Sequence, residues 1–194
     1  MEDSPVDIPG IGTLATLPAL DHLDLVAPPV ARALQNLAAH DPEVVGRARV
    51  ASIDPALADT QVLTRTFDMD PALSSNCILV AGSRSGTERV AACLVRATTD
   101  VDVNHVVRKV LDVRKASFWP QDRAVEASGM EYGGITPVGI PARWRILLDE
   151  RVVVGWSCIG SGLRRSKLFV TGDLLTLLPG AQVVEGLAQP GPSA

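Results

Sequence analysis

Residues 77–97, CILVAGSRSGTERVAACLVRA, decide the fold that the sequence predicts. Two apolar runs, CILVAG and VAACLVRA, flank the polar segment SRSGTER. Serine and glycine favour tight turns, and two apolar runs joined by such a turn are typical of a β-hairpin. We therefore expect this hairpin to form the centre of a sheet.

The chain before this hairpin predicts two helices and a strand. VARALQNLAAH (30–40) places apolar residues on one helical face, and GRARVASI (46–53) is typical of a strand. In DPALADTQVLTRTF (54–67), Asp54 as a cap followed by proline predicts a second helix. The first 25 residues are rich in Pro, Gly and Asp, so they form either an arm packed on the domain or a partly disordered segment.

The chain after the hairpin predicts further helices and strands. Asp102 is expected to cap a helix over 103–112, and Gly129 is expected to end a helix over 121–128. The later elements are a second hairpin formed by 143–148 and 151–160, a strand at 166–170, a helix at 172–180 and a strand at 181–187, with KASFWP (115–120) extended and AQPGPSA (188–194) loose. Hairpins with interspersed helices predict a single α+β domain with a mixed or mostly antiparallel sheet.

Charge and composition exclude several classes of function. The net charge is −4, which argues against indiscriminate binding to nucleic acid. Residues 1–75 carry four Lys or Arg against eleven Asp or Glu, whereas the rest of the chain carries fourteen against eleven. The later basic residues form either a local phosphate-contacting face or an ordinary solvated surface. Many of them fall in short clusters: Arg108, Lys109, Arg114 and Lys115; Arg143 and Arg145; Arg164, Arg165 and Lys167.

No stretch is apolar over the ~20 residues that span a bilayer, and the acidic start MEDSPVD is unlike a signal peptide, so we expect a cytoplasmic protein with no membrane partner. Three scattered cysteines suit reduced thiols, and no CxxC or HxxxH spacing predicts a metal site. The glycine patterns of Rossmann and P-loop nucleotide sites are also absent from the sequence.

One loop concentrates unusual residues. GMEYGGITPVGIP (129–141) holds four glycines, two prolines and the only tyrosine. Glycines allow close approach of a ligand to the backbone, and prolines limit movement. The carbonyls of such a wall can accept hydrogen bonds from an ammonium group, its amides can donate to an oxyanion, and Thr136 adds a hydroxyl. The competing interpretation is a tight structural turn between a helix and a strand.

The segment GMEYGGITPVG, preceded by NCILVAG and followed by GSGLRRSKLFV, resembles the YbaK/prolyl-tRNA-synthetase-associated editing domain. The resemblance covers residues 44–187 and leaves 1–43, an arm and a helix, and the tail 188–194 outside. It implies an α+β fold with a strongly curved, barrel-like mixed sheet. It also implies a pocket that takes the 3′ end of mischarged tRNA and hydrolyses the aminoacyl ester without a cofactor, and an aminoacyl-tRNA synthetase as a further partner.

The resemblance also implies roles for individual residues. It assigns catalysis to Gly133, Gly134 and Asn76, and places the terminal adenosine or its phosphate against Gly160 and Gly162. The other substrate-binding candidates are Thr136, Pro137, Gly139, Cys77, Ser161, Arg164, Lys167 and Lys115.

The sequence departs from the family at the start of the central strand. Many members have a functional lysine there, in a pattern such as Lys-Thr/Ser-Leu-Val, whereas this chain has Asn76 and Cys77. A neutral amide lacks the charge assistance that an ammonium gives. Either Lys115 or Lys167 supplies the charge, or the activity is weak, altered or absent.

The chemistry of an aminoacyl ester demands little from a protein. A positioned water, backbone amides facing the oxyanion and the neighbouring ribose hydroxyl suffice, which agrees with the absence of a Ser-His-Asp pattern. A pocket of fixed size would admit small cargo such as Ala, Ser, Cys or Pro.

Three alternatives stay open. Cys77 is a nucleophile only if a histidine lies near it in space. The protein is otherwise a module that binds the aminoacylated end without hydrolysis, or a synthetase partner whose acidic amino-terminal part is the contact surface. Trp119, Trp144 and Trp156 either stack on adenine or pack in the core.

Overall fold

The computed structural model of the protein describes residues 6–191, so most of the acidic start (residues 1–5) and the last three residues of the predicted tail lie outside the described part. The α-helices are α1 (Pro28–Ala38), α2 (Pro42–Gly46), α3 (Thr60–Phe67), α4 (Arg108–Leu111), α5 (Gln121–Ser128) and α6 (Gly172–Thr176). The strands are β1 (Leu17–Pro18), β2 (Arg49–Ser52), β3 (Ser75–Arg84), β4 (Thr87–Arg96), β5 (Thr99–Val101), β6 (Ala116–Phe118), β7 (Arg145–Asp149), β8 (Trp156–Gly160), β9 (Ser166–Thr171), β10 (Ala181–Val184) and β11 (Ala188–Pro190).

The strands of the described residues lie in three sheets, with the orders β1-β2-β9-β8, β10-β7-β4-β3-β6 and β11-β5. Only the pairs β4–β7 and β7–β10 are parallel. The predicted α+β class with a mixed, mostly antiparallel sheet is therefore confirmed. The observed arrangement differs from the expected barrel-like one in detail, because the strands of residues 6–191 form separate sheets that do not close into a barrel.

The predicted central hairpin is confirmed as β3 and β4, which pair from Ser75 with Arg96 to Arg84 with Thr87. The two residues between the strands, Ser85 and Gly86, both have positive φ angles of 51° and 79°. This is the turn geometry that matches the twist of a two-residue hairpin. The hairpin lies in the middle of the five-stranded sheet, where β4 is buried along most of its length.

The predicted second hairpin is wrong, because β7 and β8 belong to different sheets. The chain leaves the five-stranded sheet at Asp149, whose buried carboxylate accepts hydrogen bonds from the amides of Arg151 and Ala188. The amide of Val152 donates to the carbonyl of Asp149, so the residues after β7 turn away instead of returning along it.

Carboxylate caps and a buried tail account for two further differences. Asp54 caps only the short 3₁₀ turn Pro55–Leu57, and a second cap, Asp59, begins α3 at Thr60. The expectation of a loose tail is wrong for Ala188–Pro190, which form β11 against β5. Ala188 is fully buried there, so the strand is held by packing as well as by pairing.

The amino-terminal arm packs on the domain over its described part. Ile8 and Leu14 are buried beside Phe169 of β9. Farther along the chain, Val30 and Leu34 of α1 are fully buried in the core. The packed alternative therefore holds for the part of the arm from residue 6 onward.

A buried arginine joins the two large sheets. The guanidinium of Arg96, at the end of β4, donates to the carbonyl of Trp156 and to the hydroxyl of Ser157 on β8, at 3.0 Å each. A parallel bridge between Ser74 and Cys158 also brings the start of β3 alongside β8. These contacts place the residues after Ser74 next to the turn that follows β8.

Candidate active site

The glycine-rich loop is clasped to the turn between β8 and β9. The amide of Gly162 donates to the carbonyl of Gly134 at 2.7 Å, and the amide of Glu131 donates to the carbonyl of Gly162 at 2.9 Å. The side chain of Glu131 also accepts from the amide of Arg164 at 2.6 Å. The two glycine motifs of the sequence are therefore parts of one backbone assembly.

Close packing explains why this assembly needs glycine. A Cβ at Gly134 would lie 2.7 Å from the backbone carbonyl of Leu163, and a Cβ at Gly160 would lie 2.2 Å from the carbonyl oxygen of Gly134. Backbone atoms at these distances cannot move aside cheaply. Gly134 and Gly160 therefore bring the two segments into contact, whatever else they do.

The first turn of α1 and its N-cap, Ala27, form the back of the assembly. A Cβ at Gly139 would lie 2.4 Å from the carbonyl oxygen of Pro29, and one at Gly162 would lie 2.4 Å from Cβ of Ala27. The amide of Ala27 also donates to the carbonyl of Ser161 at 3.0 Å. The sequence did not predict that this segment belongs to the site. Its one signal was a group of apolar residues next to two prolines, which is typical of a segment packed on the core.

Gly133 lies at the exposed rim. Its φ angle is +76°, and a Cβ there would lie 2.7 Å from Nη1 of Arg164. The Arg164 guanidinium stacks over the Tyr132 ring at 5.8 Å. The amides of Gly133 and Ile135 donate to no backbone acceptor within residues 6–191.

Thr136 and Pro137 of the same loop are buried, whereas Gly133 is exposed. Thr136 is fully buried, and its hydroxyl has no hydrogen-bond partner in the described part of the chain. A buried hydroxyl without a partner is unusual in proteins and requires an explanation. On the side of the loop that faces α1, Pro137 and Gly139 border an apolar cavity of about 450 Å³, which Leu37 and Trp144 also line.

Asn76 and Lys167 each form a hydrogen bond with residues 58–60, where α3 begins. The Asn76 side-chain oxygen accepts from the Thr60 hydroxyl at 3.1 Å, and the Lys167 ammonium donates to the carbonyl of Ala58 at 2.8 Å. Lys167 is buried and pairs across the hairpin with Gly160, which itself touches Gly134. Burial lowers the pKa of the Lys167 ammonium, while Cys158 and Asp59 act to raise it and Arg164 acts to lower it.

The structure does not bring Lys115 to this site. Lys115 is exposed, and its carbonyl packs against Gly82 at the far part of β3. Gly82 is six residues from Asn76, which is ~20 Å at the rise of a β-strand. Of the two lysines that could replace the missing family lysine, only Lys167 bonds to the same segment, residues 58–60, as Asn76.

Ser161 has a structural environment. It is fully buried, its hydroxyl lies 2.8 Å from the Ser166 hydroxyl, and it accepts from the amide of Leu163 at 3.2 Å. The Ser166 hydroxyl in turn contacts the carbonyl of Leu25. These bonds fix the shape of the turn that carries Arg164 and Lys167.

Cys77 lacks the environment of a nucleophile. Burial raises the pKa of its thiol to about 12, and burial likewise raises the pKa of Cys158 to about 12. A thiol needs its thiolate form to attack.

No cluster of three His, Cys, Asp or Glu that could hold a metal occurs among residues 6–191, and no helix in that range is long and apolar enough to cross a membrane.

Two of the tryptophans pack against each other. Trp144 is buried, and its ring meets that of Trp119 edge to face with centroids 5.1 Å apart. Trp119 also lies under the Arg123 guanidinium at 5.0 Å. The third, Trp156, is half-buried against the core that contains Phe169. Their positions therefore agree with the packing interpretation.

Sequence comparison identifies the family. The sequence profile of the aminoacyl-tRNA editing domain matches residues 54–177, which contain the glycine-rich loop, the β8–β9 turn and Asn76. The chain therefore belongs to the aminoacyl-tRNA editing domain family, and the resemblance seen in the sequence is confirmed. No curated protein sequence matches the chain significantly.

Solved structures share the fold. The hypothetical protein APE2540 superposes with a TM-score of 0.68 at 13% identity, over 81% of this chain and 99% of that chain. A structure described as a proposed trans-editing enzyme for prolyl-tRNA synthetase has a TM-score of 0.65 at 17% identity, over 86% of this chain and 99% of that chain. At such low identities these likenesses establish the fold alone.

Proposed function

We propose that this protein is a free-standing aminoacyl-tRNA deacylase, which hydrolyses the ester of tRNA carrying a small, wrong amino acid. The observation that carries the proposal is the clasp between Gly134 and Gly162, which lies inside the region matched by the editing-domain family. Its partner is tRNA, its location is the cytoplasm, and a synthetase is a further partner.

The proposed reaction uses backbone groups and water. The aminoacyl carbonyl lies at the rim formed by Gly133, where the amides of Gly133 and Ile135 have no backbone acceptor among the described residues and face the developing oxyanion. A water oxygen bonds to the carbonyl carbon, the carbon–oxygen bond to the ribose breaks, and the ribose oxygen takes the proton that the water loses. The products are the free amino acid and deacylated tRNA.

Lys167 supplies the positive charge that Asn76 lacks. Its ammonium is held at the turn that also holds Asn76, and a buried cation attracts an anion more strongly than an exposed one. We assign it to the terminal phosphate or to the ester oxygens. The neutral Asn76 favours one competing function, a module that binds the aminoacylated end without hydrolysis.

Misacylated tRNAs separate these functions. The purified protein is incubated with tRNAs charged with Ala, Ser, Cys or Pro, and ester loss is measured above the spontaneous rate. We expect selective hydrolysis of the smaller esters, because a pocket of fixed size excludes larger cargo. Binding of the charged tRNA with no hydrolysis above the spontaneous rate would contradict the deacylase and support the binding module.

A further inference from the structure

A basic cleft lies where the β3–β4 hairpin meets the helical segment ending at Leu111. Its volume is about 470 Å³, and four permanent cations line it against a single carboxylate. The lining residues are Arg84, His105, Arg108, Lys109, Asp112, Val113 and Arg114. The cleft is distinct from the site around Lys167, with which it shares no residue.

The cleft carries an excess of unpaired positive charge. Asp112 is shared by two arginines, since it pairs with Arg84 and also with Arg89 at 3.1 Å. Arg108, Lys109 and Arg114 are exposed, and none of the three forms a salt bridge within residues 6–191. This concentration stands out in a chain whose net charge is −4.

An unusual backbone conformation lies next to these cations and orients Arg108. Val103–Val107 is π-helical, a rare conformation that occurs frequently at functional sites. The Arg108 guanidinium donates to the carbonyl of Asn104 at 2.6 Å, which orients it along the segment. Asp112 then ends α4 with a left-handed φ of 53°, and the amide of Val113 donates back to the carbonyl of Arg108 at 3.2 Å.

We propose that this cleft binds the phosphate backbone of the tRNA acceptor arm. The inference rests on the proposed function, because it takes the 3′ end of the same tRNA to lie at Asn76. Arg84 is eight residues along β3 from Asn76, a distance of ~26 Å at the rise of a strand. One nucleotide cannot reach across that distance, whereas a polynucleotide carries a phosphate at every step.

The chemistry of the cleft suits a backbone and not a base sequence. Arginine and lysine contacts to phosphates fix the register of a nucleic acid and give affinity without sequence selectivity. Specificity is then left to the ester site, where the amino acid is tested. The cleft is therefore expected to contribute to KM for tRNA and not to kcat.

Charge reversal tests this surface. Lys109→Glu/Arg114→Glu is compared with Arg32→Glu/Arg65→Glu, which makes the same change in net charge at two exposed arginines outside the cleft. Binding of deacylated tRNA is measured by fluorescence anisotropy between 50 and 200 mM salt. We expect the cleft variant to bind roughly tenfold more weakly, with a salt slope smaller by about two, and the control to bind as the wild type does.

Hydrolysis separates this proposal from the proposed function. The cleft variant should raise KM for misacylated tRNA and leave hydrolysis of an aminoacyl ester of adenosine unchanged, because that small ester does not reach the cleft. Wild-type protein that binds tRNA through the cleft but hydrolyses neither ester overturns the deacylase and supports the surface. Equal binding of tRNA by the two double variants overturns the surface. It is also overturned if the cleft variant loses binding to anionic lipid vesicles but binds tRNA as the wild type does.

Discussion

Lys167 donates a buried hydrogen bond of 2.8 Å to the carbonyl of Ala58, two residues from the threonine that contacts Asn76. No carboxylate of residues 6–191 forms a salt bridge with it. Burying an ammonium beside a neutral acceptor is costly, and packing alone does not require it. The nearby Asp59 carboxylate acts against the lowering of the Lys167 pKa and so offsets part of this cost. An anionic ligand would offset more of it, which is the role that we propose for this lysine.

Replacing Lys167 with methionine should lower hydrolysis of misacylated tRNA by roughly 10- to 100-fold, the value of a hydrogen bond to a charged group. Thermal stability should change little, because removing a buried charge offsets the loss of the hydrogen bond to the Ala58 carbonyl. Steady-state kinetics and a melting curve measure the two effects. Lys115→Met, at an exposed lysine distant from Asn76, is the control, and an equal loss in both variants would remove the special role of Lys167.

Restoring a lysine at position 76 tests the same idea from the other side. Asn76→Lys should raise hydrolysis in the wild type and recover part of the activity lost in Lys167→Met, because it returns a cation to the start of β3. Thr60→Val, which removes only the hydroxyl that contacts Asn76, is the matched control. A fall in activity with Asn76→Lys would show that the amide has a role of its own.

The sequence predicts the fold and the glycine motifs well, because both are local signals. CILVAG and VAACLVRA specify their own strands, and their two-residue turn sets the register of β3 and β4. The separation of β7 from β8 was not predictable, since it depends on Asp149 accepting from Ala188, which is 39 residues away. The contacts of Lys167 with Ala58, and of Gly162 with Ala27, join residues that are still further apart in sequence.

Alanine at three glycines should separate backbone strain from packing. Gly180 has a φ of +77° and nothing near its missing Cβ, so Gly180→Ala reports the conformational cost alone, about 1 kcal/mol. Gly133→Ala has a similar φ and must also displace the flexible Arg164, so it should cost slightly more. Gly134→Ala meets the backbone of Leu163 and should destabilise the protein most.

Denaturant unfolding measures this series. The clasp predicts that Gly134→Ala loses hydrolysis together with stability. It also predicts that Gly133→Ala stays folded and loses hydrolysis, whereas Gly180→Ala keeps it. Equal stability of the Gly134 and Gly180 variants would contradict the packing at Leu163.

Stability should fall at alkaline pH because of the buried thiols. Burial raises the pKa of Cys77 from 9.0 to about 12, so the folded protein keeps a proton that the unfolded chain releases above pH 9. The free energy of unfolding therefore decreases as the pH rises from 9 to 12, by about 1.4 kcal/mol per pH unit for one thiol. Unfolding of the wild type and of Cys77→Ala at pH 8 and 10.5 measures this, and identical pH slopes would refute it.

Thr136 offers the clearest separation of function from stability. Its hydroxyl is buried without a partner, so Thr136→Val should leave the free energy of unfolding unchanged or raise it. If the hydroxyl contacts the bound substrate, hydrolysis should fall roughly tenfold, the value of one hydrogen bond. Thr171→Val is the matched control, because the Thr171 hydroxyl is also buried without a partner in the described chain but lies at the start of α6. Equal activity of the two variants would assign the Thr136 hydroxyl no part in the reaction.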